Sequence, residues 1–178
     1  TNVVKNPDGT WANNAAGRLA AQLVDGGNRN EQMFGFQNIF NAVGTFLNGD
    51  LTVTGDASFK REYWRYPQNS KKYKIGYGPN DIREEGGNGF VYDRRGEIQN
   101  NVFNLYGNYN KRFGVHAFSL TAGYNQEDYV WATTVAQRDQ LISSTLPYLE
   151  LTTGEARLNA EYSSYATRSF FGRFNYTL

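Results

Sequence analysis

The residues best suited to chemistry sit near the middle of the chain. Glu84 and Glu85 are adjacent carboxylates, and Lys71-Lys72-Tyr73-Lys74 is a basic run just before them. General acid/base work needs two carboxylates held across a cleft at a defined separation, which adjacency in sequence does not supply. Gly86-Gly87-Asn88-Gly89 has the glycines of a phosphate cradle. It lacks the following Lys-Ser/Thr and the strand–turn–helix setting, so it reads as a flexible loop tip. His116 is the single histidine and the chain has no cysteine, so no metal set assembles around it. No catalytic residue, metal site or cofactor is expected.

Aromatic side chains offer a different chemistry. Tyr63, Trp64 and Tyr66 form one group, and Tyr129 and Trp131 another. Such rings either make a girdle at the headgroup layer of a membrane or a platform on which sugar rings stack. The girdle, or general loop packing, is the preferred reading. Trp64, Tyr66 and Trp131 are the candidate ligand contacts under the other.

The elements that must position these groups are strands. Leu51, Val53, Gly55, Ala57 and Phe59 alternate with Thr52, Thr54, Asp56, Ser58, Lys60 and Glu62. Period-2 alternation means one apolar and one polar face, held here well beyond the usual ~5–6 residues. The pattern returns in Phe103-Leu105-Gly107-Tyr109, where Val102 and Tyr106 interrupt the polar set. It returns again in Phe118-Leu120-Ala122-Tyr124 and in Phe170-Gly172-Phe174-Tyr176-Leu178. Met33–Leu47 is a fifth strand whose phase is blurred, because Ile39, Val43 and Leu47 compete with Phe36, Phe40 and Phe46. Charges on the polar phase (Asp56, Lys60, Glu62, Arg112, Glu127, Arg173) read as solvation of a water- or plug-filled interior.

Connections alternate between short and long. Leu47-Asn48-Gly49-Asp50 and Phe113-Gly114-Val115-His116 are tight turns. Between them lie excursions from Tyr66 to about Glu97 and from Ala132 to about Thr167. Up-and-down strands across an outer membrane produce this pattern. The expected layout is an outer loop over 1–31, a hairpin over 32–66 and an outer loop over 67–97. A second hairpin over 98–131, an outer loop over 132–167 and the start of another strand over 168–178 complete it. A helix is expected over 133–147, capped by Thr133 or Thr134, continued by Val135, Ala136, Arg138, Leu141 and Ile142, and stopped by Pro147. Trp11–Val24 has a fainter helical spacing.

Composition agrees with an all-β reading. Aromatic residues are 16% of 178, with 19 Gly, 12 Phe and 13 Tyr, which suits apolar residues diluted two-fold by polar ones. The net charge of +1 gives no field that points to nucleic acid. No run reaches the ~18 apolar residues of a transmembrane helix. Five strands cannot close a barrel of this kind, which needs at least ~8. An internal stretch of a larger chain, without its plug domain, is therefore expected.

Several segments also carry a resemblance. Gln137-Arg138-Asp139-Gln140-Leu141-Ile142-Ser143-Ser144-Thr145-Leu146-Pro147 is similar to the loop helix of SusC/RagA-type TonB-linked outer-membrane proteins of Bacteroidetes. Ala122-Gly123-Tyr124-Asn125-Gln126-Glu127 resembles the strand leading into it. Arg168-Ser169-Phe170-Phe171-Gly172-Arg173-Phe174-Asn175-Tyr176 resembles the strand returning from it, and Asn6-Pro7-Asp8-Gly9-Thr10-Trp11-Ala12-Asn13 resembles an outer loop. The resemblance implies a TonB-dependent receptor barrel of about 22 strands in the bacterial outer membrane. It implies import of oligosaccharide or peptide fragments, with TonB and a SusD-like surface lipoprotein as partners. The rivals are a siderophore or cobalamin receptor on a similar barrel and a soluble carbohydrate-binding β-sandwich. The sandwich predicts shorter strands and loops at both ends.

Overall fold

The computed structural model describes residues 3–178; the first two residues of the expected opening loop lie outside the described residues. In chain order the elements are β1 (Trp11–Ala12), α1 (Ala15–Val24), β2 (Gly27–Arg29), β3 (Gln32–Phe46) and β4 (Leu51–Ser70). They continue as β5 (Tyr73–Gly78), β6 (Asp81–Glu85), β7 (Phe90–Phe113), β8 (His116–Asp139) and β9 (Ala156–Thr177). One sheet has the order β2-β4-β7-β8-β9, with β3 also paired to β4, and a small sheet has the order β1-β5-β6. The five long strands β3, β4, β7, β8 and β9 are those the alternation predicts.

Three expectations need correction. No helix occupies 133–147: β8 runs on as strand to Asp139, and Leu141 then bridges to Thr152. Local helical spacing loses there to cross-strand pairing, helped by the β-branched Thr133, Thr134 and Val135. The one α-helix among the described residues is α1, where the spacing was fainter. Asn14 caps it by accepting from the Gly17 amide at 2.8 Å. Strands also extend past the expected hairpin limits of 66, 98 and 131, and β9 begins at Ala156 rather than 168. Alternation is visible only where one face is apolar, so strand ends with two wet faces leave no such signal.

The chain divides into two compact units. One takes in the described residues up to Gln32, with Trp64–Arg95 and Thr133–Ala160. It gathers every long connection, together with the small sheet and α1. Its core is modest: Ala12, Ala21, Ile75 and Val91 are buried. Tyr77 clamps β5 to α1 and β6. Its hydroxyl donates to Glu85 at 2.5 Å and accepts from Arg18 at 2.6 Å, and the Arg83 guanidinium lies 4.4 Å from its ring centre. The hydrogen bond to Glu85 raises the Tyr77 pKa above its ordinary value. The Gly86–Gly89 loop is tied rather than free, since Gln140 and Leu141 amides donate to the Gly89 and Asn88 carbonyls.

The second unit comprises Met33–Tyr63, Gly96–Ala132 and Glu161–Leu178, and so contains both tight turns. It has no buried apolar side chain among the described residues. Its apolar phase is a row of ring contacts between strands. Phe40 meets Phe59 at 6.2 Å, Phe103 meets Tyr124 at 6.5 Å, and Tyr124 meets Phe170 at 5.1 Å. Phe118 packs between Phe174 and Tyr176. His116 stacks on Tyr176 and shares a 2.6 Å hydrogen bond with its hydroxyl, which gives the lone histidine a local partner. The opposite phase is a ladder of polar pairs: Gln37 to Ser58, Asn41 to Asp56, Asn104 to Asn125, and Asn108 to Thr121.

These contacts resolve the blurred phase of β3. Gln37 and Asn41 reach the polar residues of β4, so Ile39 and Val43 share the polar phase, while Phe36 and Phe40 share the apolar one. The turns also differ in quality. Gly114 at φ +61 opens a two-residue loop and suits a mirror-image hairpin turn. The β3–β4 turn places Leu47 at φ +55 beside Asn48 at +57. A left-handed leucine costs about 1–2 kcal/mol, and Leu47 is exposed, so Leu47→Asn is expected to stabilise by about 0.5–1 kcal/mol. A urea midpoint for the full-length variant that falls instead would show that Leu47 packs against something outside this segment.

Candidate functional site

A cleft of about 340 Å³ opens in the first unit, lined by Arg29, Glu31, Tyr66, Gln68, Tyr92 and Arg94. Its walls are adjacent strands. Tyr66 and Gln68 lie two apart on β4, Tyr92 and Arg94 two apart on β7, and Arg29 and Glu31 flank the β2–β3 junction. Residues two apart on a strand share a face. Along β4 that phase is the one carrying Asp56, Lys60 and Glu62, so the cleft is cut into the polar phase. Tyr66, Gln68, Tyr92 and Arg94 are borne on strands, which hold a site more precisely than loops do.

Electrostatics within the cleft are unequal. Arg29 is paired to Glu31 at 2.5 Å, which offsets its charge locally. Arg94 spends only its Nε, donating to the Thr133 hydroxyl at a long 3.4 Å. Thr133 is buried and also donates to the Arg95 carbonyl at 3.0 Å, which fixes the floor beneath Arg94. On the other phase Asp93 receives Arg65 and Arg95, each at 2.8 Å. Those two arginines are therefore occupied, and Arg94 is not.

The three candidate ligand contacts separate. Tyr66 lines the cleft, whereas Trp64, its neighbour in phase on β4, does not. Trp131 belongs to the other unit. All three are half-buried. The preferred girdle reading does not survive the phases. Trp64 and Tyr66 alternate with Tyr63 and fall with Glu62, and Tyr129 and Trp131 fall with Glu127. Only Tyr63 of these five shares the apolar phase. In the second unit Tyr129 stacks on Tyr165 with centroids 5.1 Å apart, and the Tyr165 hydroxyl donates to Glu127 at 2.9 Å. Glu127 also accepts from Asn100 at 2.8 Å. These rings are built into a polar ladder, where a lipid girdle does not belong.

Sequence reasoning missed Gln68, Tyr92 and Arg94 because they lay in what read as an outer loop. The signal that finds them is weak alternation in Phe90–Glu97, legible only once the strand is known to start there. Of the other groups singled out for chemistry, Glu85 pairs with Arg18 at 3.1 Å, Glu84 with Lys72 at 3.9 Å, and Lys60 with Glu62 at 2.9 Å. Among the described residues no three His, Asp or Glu side chains converge as a metal set.

Comparison with known proteins places the fold. No protein-family model matches the chain, and no curated protein does. Solved structures do match. The RagAB peptide transporter, and the RagAB peptide importer in its closed-closed state, each align at 20% identity with a TM-score of 0.68. Each alignment covers 84% of this chain and 16% of the matched one, so this chain spans about one sixth of those chains. At that identity the likeness establishes the fold: five long strands of an unclosed β-sheet, arranged as in a stretch of those transporter chains.

Proposed function

We propose that this chain is part of the barrel wall of an outer-membrane, TonB-dependent peptide importer of SusC/RagA type. The observation that carries the reading is the second unit. It has strands with an apolar phase of rings, a polar phase of hydrogen-bonded ladders, and no buried apolar core of its own. An apolar face of that extent in water is an interaction surface. Strand pairing that satisfies backbone groups internally, with apolar residues facing lipid and polar residues facing a lumen, is the β solution to spanning a bilayer. Every long connection falls in one unit and both turns that join the long strands fall in the other, the division expected of outer loops and periplasmic turns in a barrel of this kind.

Peptide is the substrate class because the matched structures are described as peptide transporters. A SusD-like surface lipoprotein and TonB are the proposed partners, from the segment resemblance. The soluble sandwich is disfavoured by strands of up to 24 residues.

Mass measurement of the intact protein extracted from outer membranes, with peptide sequencing beyond Leu178, tests this. A parent of about 100 kDa, the scale of a plugged 22-strand barrel, that copurifies with a lipoprotein is expected. A soluble species of about 20 kDa would sink the importer reading.

A further inference from the structure

We infer that the cleft on β4 and β7 is a carboxylate-binding subsite, with Arg94 as its anchor and Tyr66 and Tyr92 as its walls. It rests on the importer reading and adds the ligand group recognised, the C-terminal or acidic carboxylate of a peptide.

Four polar groups in the cleft are uncommitted. Among the described residues the Tyr66 and Tyr92 hydroxyls and the Gln68 amide have no hydrogen-bond partner, and the terminal nitrogens of Arg94 have none either. Neither tyrosine ring stacks on another ring. Four other arginines of the same unit are spent on carboxylates, Arg65 and Arg95 on Asp93, Arg18 on Glu85 and Arg83 on Asp81, whereas Arg94 meets none.

The free fork of Arg94 presents two parallel N–H groups, a geometry that fits a carboxylate in bidentate fashion. Glu31 stays on Arg29, so it neither competes for that fork nor repels an anion from a neutralised pair. The hydroxyls and the Gln68 amide then supply donors and acceptors to the peptide groups next to the carboxylate. The buried Thr133 beneath it lowers water access to one side of Arg94, which itself stays half-exposed.

The test measures binding to the full-length protein in detergent by calorimetry. The probe is an N-acetylated alanine–serine pentapeptide, used as the free acid and as its C-terminal amide. The wild type is expected to prefer the acid about tenfold, the scale of one partly solvated charge-assisted hydrogen bond. Arg94→Gln is expected to abolish that preference, and an unchanged far-UV circular dichroism spectrum shows that the variant is folded. Equal binding of acid and amide by the wild type, or a preference that survives Arg94→Gln, overturns the subsite and leaves the importer reading intact. Failure of both peptides to bind the wild type counts against the importer reading itself. Trigalacturonate offers the same carboxylate on a sugar. Its binding in place of the peptides overturns the peptide assignment.

Discussion

Leu120→Arg in the full-length protein is expected to cost about 2–4 kcal/mol in a bilayer, and Thr121→Arg no more than about 1.5 kcal/mol. The two positions are adjacent on β8 and differ only in phase. Leu120 is exposed on the phase that carries Phe118 and Tyr124, whose rings meet those of β7 and β9. In the proposed barrel an arginine there would have hydrocarbon around it and no partner. Thr121 donates to Asn108 at 2.7 Å on the polar ladder. Replacing it forfeits that bond, yet the new guanidinium points to water or to neighbouring amides. Urea unfolding of both variants from phospholipid vesicles reads the difference. Equal losses would mean that the two phases do not face lipid and lumen.

Gly123→Val is expected to destabilise by about 3 kcal/mol or more, and Gly123→Ala by about 1–3 kcal/mol. A Cβ at Gly123 would lie 2.3 Å from the tip of the Phe171 ring and 2.7 Å from the Cβ of Tyr106. The ring tip can swing aside. Tyr106 Cβ is bonded to the backbone of β7 and moves only with the strand. The double variant Gly123→Ala with Phe171→Ala should therefore recover part of the loss and not all of it. Full recovery would assign the whole clash to the ring, and a neutral Gly123→Ala would mean that the strands are not this close. This contact also accounts for Tyr106, the aromatic that interrupts the polar phase of β7. Together with Phe171 it covers the one place on that phase where β8 has no side chain.

The two phases respond to different perturbations, and that bears on function. In the proposed importer, apolar-phase changes are expected to act on stability in the membrane, whereas polar-phase changes at Arg94, Tyr66 or Tyr92 are expected to leave the wall standing and to act on ligand binding.

Much of this was legible in the residues themselves. Leu51–Phe59 against Thr52–Glu62 states two faces without any partner strand, because successive side chains on a strand point to opposite sides by covalent geometry. Asn48-Gly49 and Gly114 mark turns for an equally local reason, the ease of a positive φ. That is why five strands and two tight turns were there to be read. The helix expected over 133–147 failed because its evidence was local and its competitor was not. Thr133 hydrogen-bonds to Arg95 on β7, and Arg138 donates to the Gly154 carbonyl at 2.8 Å. The blurred phase of β3 likewise waited for Gln37 and Asn41 to meet Ser58 and Asp56. Most of all, the cleft depends on registering Tyr66 and Gln68 beside Tyr92 and Arg94, some 26 residues apart in sequence. The alternation within a strand belongs to the sequence, whereas the neighbours across strands are chosen by pairing between distant segments, so the faces were written in the chain and the site was made by the fold.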